Sequence, residues 1–204
     1  MLFPDAYLPL QIFEVRYLDL MQRCQRDGKP FGVVCLSQGR EVQQRDPAAD
    51  DGGFAREAFH PIGTLAQIVD FRQPRPGLLL VGCRGGQRFR ILSSEKLKHG
   101  LWSAEVELLA PDQATATPDE LRGIGLALRQ LHEQLQAQEP DGIDHYPPYQ
   151  DQASPWQDAG WVANRWAELL PLPLASRQGL LALDSPLLRL ELVGDALDQL
   201  GIAY

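Results

Sequence analysis

At Thr117 the spacing of apolar residues along this chain changes from two to an alternation of three and four. Before it, Arg88–Leu92 and Trp102–Leu109 alternate polar and apolar side chains, as strands with one buried face do. Beyond it, Leu121, Ile124, Leu128, Leu131 and Leu135 fall on one face of a helix and need a partner surface. Strands first and helices last specify an α+β protein, with a β-rich lobe over 1–112 and a helical bundle over 113–204. A length of 204 residues suits one compact protein with two lobes, because domains commonly hold about 100 to 150 residues.

In the first lobe, Tyr7–Phe13 mixes branched and aromatic residues around Pro9, which suits an edge strand. A helix is expected from Glu14 to Cys24, with Val15, Leu18 and Met21 at helical spacing and Gly28 as its cap. Further strands are expected over Phe31–Leu36, Thr64–Phe71, Leu78–Arg84, Arg88–Leu92 and Trp102–Leu109. Arg75-Pro-Gly77 and Gly85-Gly86 read as the turns between neighbouring strands. Gln43–His60 carries too little apolar material to pack and reads as a mobile loop.

In the second lobe, Thr117-Pro-Asp-Glu120 and Ser154-Pro-Trp-Gln157 both have the form of a capping box with proline in the first helical position. The second would open a helix bearing Trp156, Ala159, Ala163, Trp166 and Leu170. Pro140–Asp151 connects the two helices as a loop. A short helix over Ala175–Leu183 and a last one opened by Ser185-Pro186 and stopped at Gly201 complete the lobe. Gly123 and Gly125 weaken the first of these helices but permit close packing.

Several chemistries find no support in the residues. A formal charge of -8 repels polyanions and disfavours nucleic acid, with Arg84, Arg88 and Arg90 as the one local basic cluster to set against it. The three cysteines, Cys24, Cys35 and Cys83, form neither a disulfide framework nor a zinc motif, which fits a reducing cytosol. No stretch approaches the roughly 20 apolar residues of a membrane span. His60, His99, His132 and His145 lack metal-ligand spacing, and no phosphate-binding loop or serine elbow is present. Ser93-Ser-Glu-Lys96 reads as a polar strand end rather than a serine–lysine catalytic pair. No catalytic residue, metal or cofactor is therefore expected.

Leu8-Pro-Leu-Gln-Ile-Phe-Glu-Val-Arg-Tyr17 is similar to the signature of the amino-terminal, substrate-recognition domain of Lon proteases. Phe31-Gly-Val-Val34, Ile62-Gly-Thr-Leu-Ala66, Gly86-Gln-Arg-Phe-Arg-Ile91 and the tail around Leu169–Leu174 resemble further family blocks in the same order. The resemblance implies a PUA-like pseudo-barrel followed by a helical bundle. It implies a module that binds unfolded or extended protein segments without cutting them, in the cytoplasm, with a separate ATPase or protease as a further partner. The family's usual first strand has no counterpart ahead of Met1-Leu-Phe-Pro-Asp5, so that strand is expected to be missing or the true start to lie upstream. The ATPase and protease domains of full Lon are not matched, so their activities are not implied.

The candidate peptide-binding residues are Phe13, Glu14 and Arg16, at the end of the expected edge strand. Glu14 and Arg16, charges beside an apolar strand end, either pair structurally or face a partner. Two other functions are carried as alternatives: RNA or small-ligand binding, as PUA-like barrels perform elsewhere, and a small hydrolase with a site assembled from scattered residues.

Overall fold

The computed structural model describes residues 1–38, 57–138 and 154–204. They form two compact units, one of Met1–Leu2 with Leu8–Leu109 and one of Phe3–Tyr7 with Ala110–Tyr204. The architecture is α+β, as the change of periodicity requires. Among the described residues no helix is long and apolar enough to cross a membrane.

The first unit is built on β1 (Tyr7–Ile12), α1 (Val15–Asp27), β2 (Phe31–Val33), β3 (Leu36–Gln38), β4 (Ala58–Phe59), β5 (Ile62–Arg75), β6 (Leu78–Lys96) and β7 (Trp102–Leu108). The main sheet runs β1-β6-β5-β2, with β7 also paired to β6, while β3 and β4 form a separate ribbon. Gly77, at a φ of 78°, makes the tight turn from β5 to β6. Leu79, Val81 and Cys83 alternate into the core from β6, facing the same interior as Ala66 and Phe89. The ring of Phe89 lies over two glycines: a β-carbon on Gly63 would sit 2.6 Å from its Cζ, and one on Gly32 would sit 3.0 Å away. Three sequence blocks, around Gly32, Gly63 and Phe89, thus meet at one ring.

Four local expectations are corrected in this unit. Gly85-Gly86 does not turn the chain: β6 runs straight through, and neither glycine has a positive φ. Between the pairs Ala66–Gly85 and Thr64–Arg88, β6 carries one residue more than β5, a bulge that bends the strand. Bent in this way, one long strand pairs first with β5 and then, from Phe89 to Lys96, with β7. The expected strand over Phe31–Leu36 divides, because Val33 pairs with Thr64 while Leu36 pairs with Phe59. The expected loop up to His60 ends earlier, since Ala58–Phe59 is β4 and the His60 amide donates to the Cys35 carbonyl at 2.9 Å. The part of that loop before Glu57, and all of the Pro140–Asp151 connection, lie outside the described residues. Finally, α1 does not bury Val15; Arg16, Met21 and Cys24 are its buried residues. Its end is as expected, with Gly28 in the left-handed conformation.

In the second unit a 3-10 turn over Asp119–Leu121 leads into α2 (Arg122–Gln138), and another over Pro155–Gln157 precedes α3 (Ala159–Leu169), α4 (Leu174–Ala182) and α5 (Pro186–Gln199). Neither Thr117 nor Ser154 caps a helix. The Thr117 hydroxyl instead donates to the Gln157 carbonyl, and Asp158 caps α3 by accepting from the Trp161 amide at 2.7 Å. Ser185 does cap α5, accepting from the Leu188 amide. Ile124, Leu128, Val162, Trp166, Leu190, Val193 and Leu197 form the core. Gly125 is required by close approach, because a β-carbon there would be driven into the Trp156 carbonyl oxygen.

A buried arginine completes this unit. Arg189 on α5 donates from Nε to Leu180 O at 3.1 Å, from Nη2 to Leu183 O at 2.5 Å, and from Nη1 to Asn164 Oδ1 at 3.0 Å. The Asp112 carboxylate accepts from both terminal nitrogens. One guanidinium thereby joins α5 to the end of α4, to α3 and to the segment before α2, with charge-assisted bonds offsetting its desolvation.

Candidate functional site

In the first unit, β1 stops at Ile12 and α1 starts at Val15, so Phe13 and Glu14 form the joint. The Glu14 carbonyl begins the helix by accepting from the Tyr17 and Leu18 amides, both at 2.9 Å. Arg16 points inward. Its Nε and Nη2 each lie 3.0 Å from Glu14 Oε2, and Nη1 donates to the Gly100 carbonyl at 2.7 Å. The guanidinium also stacks 4.6 Å from the centre of the Tyr17 ring. Gly100 takes a φ of 83°, the left-handed turn that presents this carbonyl.

A second polar group of the same unit stands nearby. Glu57 Oε2 accepts from Trp102 Nε1 at 2.6 Å and from Lys96 Nζ at 3.0 Å. Burial pushes this carboxyl up, but the bonds from Trp102 and Lys96, aided by the charges of Lys96 and Arg16, outweigh it and hold the group below its ordinary range. Phe59 closes edge-on against Trp102, with ring centres 5.1 Å apart.

The three residues singled out in the sequence therefore divide. Glu14 and Arg16 are committed to each other and to the start of α1. Phe13 is 65% exposed, and beside it Val15 is 73% exposed. Two apolar side chains so open, on a backbone anchored by the partly buried Arg16–Glu14 pair, make an apolar corner. Helical periodicity assigned Val15 to the core, and no signal in the sequence reveals that Arg16 takes the inward place.

The joint adjoins an open sheet edge, since β1 ends the strand order and has β6 as its only strand neighbour among the described residues. Backbone groups on such an edge can pair with an added strand.

The other sequence candidates disperse. Arg88 is buried and Arg90 lies 4.0 Å from Glu107, so the three arginines do not make a continuous exposed basic groove. Ser93 donates to Glu105 and Lys96 to Glu57, so no serine–lysine pair forms. Among the described residues no group of three His, Cys, Asp or Glu could hold a metal ion. His145 lies outside the described residues.

The second unit carries a shallow hollow lined by Leu128, His132, Leu135, Trp156, Trp161 and Leu169, with Arg165 at its floor. Trp156 meets Trp161 edge-on at 5.0 Å and His132 at 5.5 Å. The sequence placed Trp156 and Leu135 on core stripes. Leu135 is exposed here.

Residues 1–199 match the family model described as the ATP-dependent protease La (LON) substrate-binding domain. A crystal structure of a Lon N-terminal domain protein from Xanthomonas campestris is similar, with 32% sequence identity and a TM-score of 0.66 over 96% of this chain and 92% of that one. The N-terminal domain of Mycobacterium avium complex Lon protease shares the fold, with a TM-score of 0.53 over 97% of this chain and 92% of that one, at 18% identity.

Proposed function

Because the chain belongs to the family of ATP-dependent protease La (Lon) substrate-binding domains, we propose that it captures unfolded or extended protein segments and does not itself cut them. The observation that carries this reading is the apolar corner of Phe13 and Val15 at the end of the open strand β1. An extended segment gains main-chain hydrogen bonds along β1 and buries an apolar side chain against the corner. Glu14 and Arg16 act as the brace that holds the corner in place rather than as contact residues. The work is done in the β-rich unit and in a reducing cytosol, for which the three free buried cysteines are suited. A separate ATPase or protease would act on what is held.

The test is titration of a labelled, reduced and carboxymethylated protein against this one at low and high salt, with poly-U RNA in parallel. Capture should persist in salt, because the contacts are apolar and main-chain. The double variant Phe13→Ser/Val15→Ser should weaken capture by about tenfold, since burying even part of two apolar side chains supplies that much. Steeply salt-dependent RNA binding with no capture of unfolded protein would overturn the reading in favour of a nucleic-acid module. ATP hydrolysis or casein cleavage that survives repurification would overturn its non-catalytic part.

A further inference from the structure

β7 is a strand open on three sides. β6 flanks it on one edge, no described strand occupies the other, and every residue from Ser103 to Leu108 is exposed. Its register with β6 assigns its faces. Val106 stands opposite Ile91 and Leu108 opposite Phe89, which places Ala104, Val106 and Leu108 on one face. Glu105 stands opposite Ser93 and Glu107 opposite Arg90, on the other face, with Glu95 two positions along the same row as Ser93. That second face holds three carboxylates against one guanidinium, and Arg90 and Glu107 remain about half exposed, at 49% and 60% of their side chains.

We propose that the free edge of β7 is a docking strand for an extended segment that alternates apolar and basic residues. About half of the backbone N–H and C=O groups of an edge strand point outward and accept a new strand. Whichever direction the new strand runs, the pleat sends alternate side chains to opposite faces. Residues that fall beside Glu105 and Glu107 meet carboxylates, and those beside Ala104, Val106 and Leu108 meet apolar surface. An acidic segment is repelled at two positions of one face, and a segment with its charges in a block cannot place them on one face without placing charge on the other. This surface is separate from the Phe13 corner. It adds a rule of sequence selection to a chain whose net charge of -8 already favours basic partners.

The experiment measures fluorescence anisotropy with three labelled nine-residue peptides: one alternating valine and lysine, one alternating valine and glutamate, and one of valine and lysine in blocks. Wild-type protein should bind the alternating lysine peptide, with affinity falling as salt rises, and should bind the other two at least about tenfold more weakly. Glu105→Lys/Glu107→Lys changes two exposed side chains. It should reverse the preference toward the alternating glutamate peptide while leaving the thermal melt and the capture of unfolded protein at the Phe13 corner intact. Equal binding of the block peptide, or a preference that ignores the charge reversal, would overturn the assignment of β7. Loss of unfolded-protein capture in Phe13→Ser/Val15→Ser, with the peptide preference unchanged, would show that the two surfaces act independently, as proposed.

Discussion

Replacing Gly63 by alanine tests the packing that joins three parts of the sequence. The added methyl would lie 2.6 Å from Phe89 Cζ, 2.6 Å from the Val33 carbonyl oxygen and 2.7 Å from Val34 Cγ1. The ring could rotate or slide, but Val33 belongs to β2, which is paired to β5 beside this position, so its carbonyl cannot recede without breaking the ladder. Overpacking of this kind costs about 1 to 3 kcal/mol, and a backbone neighbour places it at the upper end. Alanine returns about 0.5 to 1 kcal/mol, because glycine loses more freedom on entering a strand. The net expectation is a loss of about 2 kcal/mol, read as a lowered urea midpoint at unchanged m-value and a fall in Tm of roughly 8 to 16 °C for a unit of this size. Phe89→Leu in the same background divides the two contacts. Removing the ring should recover only part of the loss, since the contact with the Val33 carbonyl stays. A Gly63→Ala protein as stable as wild type, or more so, would refute the reasoning, because the entropic gain would then be acting with no clash to oppose it.

Arg189→Met should destabilise the helical unit by about 3 to 5 kcal/mol, measured by urea denaturation, because it leaves the Asp112 carboxylate and the Leu180 and Leu183 carbonyls without their common donor. Burial raises the Glu168 carboxyl to about 7, even though Arg165 Nη2 lies 2.5 Å from its Oε1 and pulls it down. A folded pKa raised above the unfolded one contributes stability that is complete below about pH 4 and is lost as pH rises through 7. Wild type should therefore lose stability relative to Glu168→Gln between about pH 4 and 7, and the opposite slope would show that the pair with Arg165 dominates. Burial likewise pushes the Cys83 thiol up to about 11, so Ellman's reagent at pH 8 should leave Cys83 unmodified in the native protein and react with it once the chain is unfolded.

Much of the fold was legible because it is written in interactions a few residues long. The apolar spacing of Ile124 and Leu128, the left-handed cap at Gly28 and the Ser185 cap of α5 depend on neighbours within about one helical turn, and each is where the sequence puts it. The edge position of β1 fits Pro9, which has no N–H to donate to a neighbouring strand. The blocks around Gly32, Gly63 and Phe89 could be recognised in the sequence, but the reason for their glycines could not, because that reason is the distance from one aromatic ring to two remote backbones. The same holds at the candidate site. A charged residue between Val15 and Tyr17 carries no local mark of direction, and Arg16 turns inward because Glu14 and the Gly100 carbonyl together satisfy it there, which leaves Val15 outside beside Phe13. Gly85-Gly86 has the composition of a hairpin turn and becomes a bulge, because β5 on one part of β6 and β7 on the next hold the strand extended through it. Thr117 and Ser154 have the composition of helix caps, yet the Gln157 carbonyl takes the threonine hydroxyl and Asp158 lies closer to the start of α3. Local propensity fixes which elements form, whereas the choice among equally good local partners is made by whichever distant group the fold brings within hydrogen-bonding or packing distance.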